Sequence, residues 1–227
     1  MKPVLFQWHS VTLYTYGFFV AIAMVAVFLV AGRRARAVGL PQTVVADLIF
    51  LLFVSGVIGA RAFYVLQHGE QYRADWTTVF AIREGGLVWY GGFLVAACAG
   101  IAYARWRHWP VLKLCDFFAP LVPLAHGIGR FGCFFNGCCY GRDGIPVQLI
   151  EAAALFLLSA GLFSFASRKH REGEVLVLYV AGYAAVRFFT EFLRGDQTPV
   201  GFLTLPQWTS ALLFAGALVF GHGLRRR

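Results

Sequence analysis

Apolar residues in this chain come in long continuous runs, and polar residues are confined to short stretches between them. A bilayer's hydrocarbon core, about 30 Å thick, takes about 20 apolar residues per helix. Seven segments meet that length: 11–32, 44–66, 86–104, 114–135, 147–167, 174–193 and 206–224. The pattern predicts an all-α polytopic membrane protein with about seven transmembrane helices. A β-barrel is excluded because its strands would alternate apolar and polar positions. Segments 114–135 and 174–193 are the weakest, since each carries arginine and acidic residues inside its span. Connections are short, so 1–227 reads as one integral-membrane domain without an internal repeat. The longest polar stretches are about 67–85 and 194–205.

Composition agrees. The chain is 59% hydrophobic and 14% charged, against roughly 45–50% and 25% in soluble domains. The formal net charge is +9, from 20 Lys+Arg against 11 Asp+Glu. The basic residues cluster between apolar runs, and no nucleic-acid-binding motif accompanies them, which makes the charge a matter of topology. Twelve of them (Arg33, Arg34, Arg36, Arg105, Arg107, Lys113, Arg168, Lys169, Arg171, Arg225, Arg226 and Arg227) fall on one side of the seven-span arrangement. Five, namely Lys2, Arg73, Arg83, Arg142 and Arg194, fall on the other. The positive-inside rule then predicts the N-terminus outside and the C-terminus inside. The first span reads as retained rather than cleaved, because Arg33-Arg34 stands where a signal peptide would have small residues. Function is expected within the membrane or at its outer face.

Ionisable residues inside spans cost roughly 2.5–3.5 kcal/mol each to insert and are functional candidates by default. Here they are Asp47, Arg61, Asp116, Arg130, Glu151, Arg187 and Glu191. Arginine stays charged and grips phosphate bidentately, so converging arginines would seat an anionic lipid head group; pairing with the acidic residues as buried salt bridges is the plainer alternative. His126, Arg130 and Cys133 recur at i, i+4 and i+7 and share one helix face. Tyr183, Arg187, Glu191 and Arg194 form a second polar stripe. There, Arg187 and Glu191 either pair internally or Glu191 orients Arg187 toward a phosphate. In Gly85-Gly86-Leu-Val-Trp89-Tyr90-Gly91-Gly92 the double glycines permit close approach of another helix or a ligand. The five cysteines include Cys133, Cys138 and Cys139 within seven residues. Three readings stay open for this group: a thiolate-rich metal site with His126, which the adjacent Cys-Cys spacing disfavours; a disulfide on the outer side; and small buried apolar side chains.

These residues, taken in order, resemble the bacterial prolipoprotein diacylglyceryl transferase family over almost the whole chain. The matching pieces are Tyr16-Gly17, Gly59-Ala-Arg61, Gly85-Gly86…Gly91-Gly92, Asp116-Phe-Phe-Ala-Pro120, Gly129-Arg130-Phe-Gly132…Asn136-Gly137…Gly141-Arg142, Pro146-Val-Gln148-Leu-Ile-Glu151, and Gly182-Tyr-Ala-Ala-Val-Arg187-Phe-Phe-Thr-Glu191-Phe-Leu-Arg194. The resemblance implies transfer of the diacylglyceryl group of phosphatidylglycerol to a lipoprotein-precursor (lipobox) cysteine, with a thioether formed and glycerol phosphate released, at the bacterial inner membrane. It implies no metal or redox cofactor. Arg130 and Arg187 match the family's key arginines and would clamp the departing phosphate, with Arg61 assisting. Tyr16, Asn136, Glu191, Tyr183, Arg194, Gly91 and Gly92 are the expected substrate-binding residues.

The chain departs from the family at three places. The family signature reads Gly-Arg-x-Gly-Asn-Phe-x-Asn-x-Glu, and here Cys133 replaces its first asparagine and Cys138 its glutamate. Tyr90, a candidate catalytic residue with Arg130, Arg187 and His126, stands where the family's His-Gly-Gly has histidine, which leaves His126 as the candidate base or the arginines themselves to acidify the thiol. The alternatives to a transferase are a paralogue that binds an anionic phospholipid but uses another acceptor or thiol chemistry, and a non-catalytic lipid-binding or transport protein.

Overall fold

The computed structural model describes residues 3–8, 11–73, 75–81, 85–168 and 170–226. Lys2, Arg83, Lys169 and Arg227 of the charge balance lie outside the described residues. The chain is mostly helical: α1 (Thr15–Ala37), α2 (Gln42–Gln67), the short α3 (Gly69–Tyr72), α4 (Trp89–Trp106), α5 (Val111–Phe118), α6 (Leu121–Asn136), α7 (Val147–Ala166), α8 (Glu174–Glu191) and α9 (Leu205–Arg225). Among the described residues four helical stretches, Thr15–Ala37, Gln42–Gln67, Val111–Asn136 and Val147–Ala166, are long and apolar enough to cross a membrane. Each expected span contains a helix, with two differences. Residues Val11–Tyr14 pair with Val4–Trp8 as an antiparallel β2–β1 ladder, so the first helix starts at Thr15 and runs on to Ala37. The fourth segment is two helices, because Pro120 cannot donate a backbone N–H and its ring collides with the carbonyl four residues earlier. The carbonyl of Pro120 at this break accepts from Ser159 Oγ of α7 at 2.7 Å. A second ladder, β3 (Pro199–Val200) with β4 (Leu203–Thr204), precedes α9.

The chain groups into two compact units, residues 1–31 with 112–227, and residues 32–111. In the first unit α7 packs on α6 and α8, and α8 on α9. Ala119, Leu162 and Val175 form a buried apolar cluster, with Leu158, Phe165, Ala166 and Tyr179 packed against it. Asp116 sits within this unit as a cap delivered from α5 to α8: its carboxylate accepts from Gly173 N at 2.6 Å and Leu176 N at 2.8 Å. Those N–H groups are among the ones a helix start leaves without an intrahelical partner, and a carboxylate there also meets the positive end of the helix dipole. The start of α9 is closed by a capping box in which Thr204 N donates to Gln207 Oε1 at 3.0 Å.

The second unit is built on α2 against α4. Gly56, Gly59 and Ala60 face Gly91, Gly92, Val95 and Ala96 closely enough that a Cβ on Gly59 would lie 2.6 Å from the Gly91 carbonyl, and one on Gly92 2.8 Å from the Gly56 carbonyl. Small residues are what permit such backbone approach between apolar helices.

Candidate active site

On α6, His126, Arg130 and Cys133 do share one face, and the structure adds the group that organises it. Arg130 Nη2 donates to Glu151 Oε1 of α7 at 2.5 Å, and both side chains are buried. His126 Nε2 lies 3.9 Å from the same carboxylate oxygen. The His126 ring is 5.6 Å from that of Tyr183 on α8. One turn further along α8, Arg187 Nη2 stands 2.9 Å from Glu191 Oε2, and Arg194 Nε is 3.7 Å from that oxygen. Glu191 also receives a 2.8 Å hydrogen bond on Oε1 from Thr204 Oγ1. Glu191 therefore fixes Arg187, and the capped start of α9 fixes Glu191.

Each of the two central arginines keeps a donor in reserve. Arg130 Nε and Arg187 Nη1 are buried and have no hydrogen-bond partner among the described residues; Glu151 Oε2 is in the same condition. A buried donor left unpaired costs about 1–3 kcal/mol, more when charged. Two such guanidinium donors, already oriented by carboxylates, suit a ligand with several anionic oxygens. Glu151 was visible in the sequence as an in-span carboxylate, but nothing in the spacing tied it to Arg130 rather than to any other arginine.

The C-terminal end of α6 brings in the rest. Tyr16 of α1 packs over Gly132, where a Cβ would come within 3.1 Å of its ring. After Asn136 the helix closes with Gly137 in the left-handed region (φ 76°), Gly137 N donating to Phe134 O and Cys138 N to Cys133 O at 3.2 Å. The loop that follows is bound to the end of α8: Arg142 N donates to Leu193 O at 2.9 Å, Gly195 N to Tyr140 O at 3.2 Å, and Arg142 Nε to Arg194 O at 2.9 Å. Arg194 itself is buried and forked onto Asp196 at 2.9 and 2.5 Å. In this loop the Cys139 thiol is pulled down to about 5, first by a hydrogen bond from Cys133 and then by the Arg194 guanidinium, with burial opposing both. The Cys138 thiol is pushed up by burial and by Cys139 beside it, and the Asn136 side chain hydrogen-bonds to it.

The remaining expected site residues belong to the second unit. Arg61 is buried but is not an open anion seat. Its Nε donates to Val79 O at 2.8 Å, Nη2 to Thr78 O at 2.8 Å, and Nη1 to Gly85 O at 2.7 Å and Gly86 O at 3.2 Å. Tyr64 and Tyr72 each place a ring 5.6 Å from the guanidinium carbon. With four of its five N–H donors committed to carbonyls, Arg61 ties the segment after α3 to α2. Gly91 and Gly92 are buried in the α2–α4 contact, and that packing accounts for them. Tyr90 is exposed at the start of α4, edge-on to Trp89.

Two buried arginines, each oriented by a carboxylate and each with a donor that has no hydrogen-bond partner among the described residues, thus stand in a chain with helices apolar enough to cross a membrane. A family model described as prolipoprotein diacylglyceryl transferase matches residues 3–221, and the chain belongs to that family. Among its relatives, the phosphatidylglycerol–prolipoprotein diacylglyceryl transferase of Clostridium tetani is 29% identical over 97% of both chains. That of Clostridioides difficile is 31% identical over 96% of this chain and 94% of its own. The enzyme of the same name from Parasynechococcus marenigrum is 33% identical over 88% and 83%.

Proposed function

We infer that this protein transfers the diacylglyceryl group of phosphatidylglycerol to a cysteine thiol of a lipoprotein precursor, at the outer face of the bacterial cytoplasmic membrane. The chain spans that membrane seven times in this reading, N-terminus out and C-terminus in, as the distribution of Lys and Arg requires. The observation that carries the function is the pair of buried donors on Arg130 and Arg187 that have no hydrogen-bond partner among the described residues.

In the reaction the thiol sulfur attacks the glycerol carbon that bears the phosphate. A C–S bond forms, the C–O bond breaks, and glycerol phosphate leaves with the electron pair. Negative charge grows on the leaving phosphate, so guanidinium donors fixed in advance stabilise the transition state more than the ground state. Glu151 and Glu191 hold the two arginines in that pose. The thiol proton goes to His126, which sits between Glu151 and Tyr183 and replaces the family histidine that is Tyr90 here. Tyr16 and Asn136 flank the outer approach, where the precursor peptide enters.

The test is to incubate the purified protein with phosphatidylglycerol and a lipobox peptide and to follow the peptide's mass. A gain of one diacylglyceryl group with release of glycerol phosphate is expected. No gain, where a relative turns over under the same conditions, overturns this acceptor and leaves a family member with another one, a reading that Cys133 and Cys138 at signature positions favour.

A further inference from the structure

The sulfur atoms of Cys133, Cys138 and Cys139 all lie within 4.8 Å of one another, and the transfer chemistry uses none of them. Two backbone devices bring them together. The first is the helix stop at Gly137: its 6→1 hydrogen bond from Cys138 N to Cys133 O sets the residue after the cap over the last turn, which is the ordinary consequence of such a motif. That much explains the contact between Cys133 and Cys138. It does not explain Cys139, which adopts φ 59°, a left-handed conformation that is strained for a non-glycine residue and gathers at functional sites. This turn folds the third sulfur back onto the other two. Adjacency of Cys138 and Cys139, which disfavours a metal site by spacing alone, is overcome by that conformation.

We propose that Cys133, Cys138 and Cys139 form a three-thiolate binding site for a soft, thiophilic metal ion of the Zn(II) or Cu(I) class. An all-sulfur donor set selects such ions over Mg(II), Ca(II) or Mn(II), and thiolate sulfur sits about 2.3 Å from zinc, so ligands on a triangle of this size close around one ion with small rotations. Three protein ligands leave a fourth position for water. The surroundings are those of a supported site. The Arg194 guanidinium lies beside Cys139, Gln148 Nε2 holds the Cys138 carbonyl at 2.8 Å, and Asp196 holds Arg194. Outer contacts of this kind orient the ligands. Charge also balances: three thiolates and a divalent ion leave one negative charge beside the Arg194 guanidinium. Three S–M bonds form on binding, and the thiol protons lost go to the buffer.

The experiment uses the full chain in detergent, reduced, and titrated with Cd(II) alone and then with Zn(II) in competition. One Cd(II) per chain is expected, seen as sulfur-to-metal charge-transfer absorption and displaced by Zn(II). Cys133→Ser, Cys138→Ser and Cys139→Ser each weaken binding roughly 100-fold or more, and Gln148→Ala, which removes only an outer contact, about 10-fold. Cys98→Ser and Cys115→Ser leave it unchanged. Serine is close to cysteine in size, and a gel-filtration profile like that of the parent establishes that each variant is folded. Absence of the absorption band, binding that survives replacement of all three cysteines, or a disulfide among the three in protein isolated without reductant each overturns the site.

Discussion

Arg130 and Glu151, 21 residues apart on α6 and α7, form a buried ion pair at 2.5 Å that leaves the arginine's Nε and the carboxylate's Oε2 without partners among the described residues. The pair therefore does two things, joining helices and aiming a guanidinium. Arg130→Ala removes a charged donor from the phosphate seat, and a loss of turnover on the order of 10²–10³-fold is expected. It also strands Glu151, so stability falls by about 3–5 kcal/mol. Replacing both partners, Arg130→Met with Glu151→Leu, restores the stability and not the turnover. Thermal unfolding in detergent and the peptide mass assay separate the two effects. Turnover recovering in the double variant would show that Arg130 acts only as a helix tie.

Arg187 is held by Glu191, which is held in turn by Thr204 at the cap of α9. Thr204→Val keeps the shape and deletes the hydroxyl. The expected result is a turnover loss on the order of tenfold, smaller than that of Arg187→Ala, because the guanidinium remains but is less firmly oriented. A pre-steady-state comparison checks it: the chemical step slows while binding of phosphatidylglycerol is little changed. Equal losses in Thr204→Val and Arg187→Ala would mean that the α9 cap matters for folding alone.

Asp116 reads in the sequence as one more in-span acid, yet the structure spends it on the start of α8. Asp116→Ala leaves Gly173 N, which is buried, unpaired at about 1–3 kcal/mol, and frees the half-buried Leu176 N as well. Asp116→Asn keeps an acceptor oxygen and is expected to lose less. Turnover per folded molecule is unchanged in both variants, measured after normalising to the fraction that survives gel filtration.

Gly59 offers the simplest packing test. A methyl group there would lie 2.6 Å from the Gly91 carbonyl and from Val95 Cβ, so α4 must move away from α2. Gly59→Ala is expected to destabilise by about 1–3 kcal/mol, the usual cost of overpacking, while Gly17→Ala, which meets nothing within 4 Å, is neutral. Comparable unfolding temperatures for the two would refute the close contact.

Much of this was legible from the sequence, and the reasons are specific. Helix existence followed from apolar runs, and the i, i+4, i+7 spacing put His126, Arg130 and Cys133 on one face correctly. What stayed hidden was partner choice. Seven in-span charges can pair in many ways, and only the packing of α7 on α6 selects Glu151 for Arg130. Arg61 is a different case. A buried arginine near a glycine pair looks like an anion seat, but the carbonyls of residues 78, 79, 85 and 86 take its donors, and no periodicity signals that. The break at Pro120 was in plain view as a proline, while its consequence, two helices of 8 and 16 residues, was not read from the apolar run that spans both.

The Cys139 thiol gives a pH dependence whose sign can be worked out. Its folded-state value of about 5 lies below the ordinary 9.0 because a Cys133 hydrogen bond and Arg194 favour the thiolate, against burial. A depressed acid stabilises the fold fully above its unfolded value and loses that contribution as pH falls through the folded one. The stabilisation is therefore complete above about pH 9 and is lost progressively down to about pH 5. In the metal-free, reduced protein, alkylation at Cys139 should stay near its plateau down to about pH 6, since the thiolate is the nucleophile. Cys138, whose thiol is pushed up, should react only at alkaline pH. Arg194→Gln removes the guanidinium and moves the Cys139 onset upward. Peptide mapping after a brief pulse of iodoacetamide at each pH reads both residues at once. A Cys139 onset near that of an ordinary thiol, unmoved by Arg194→Gln, would show that Arg194 does not stabilise the thiolate.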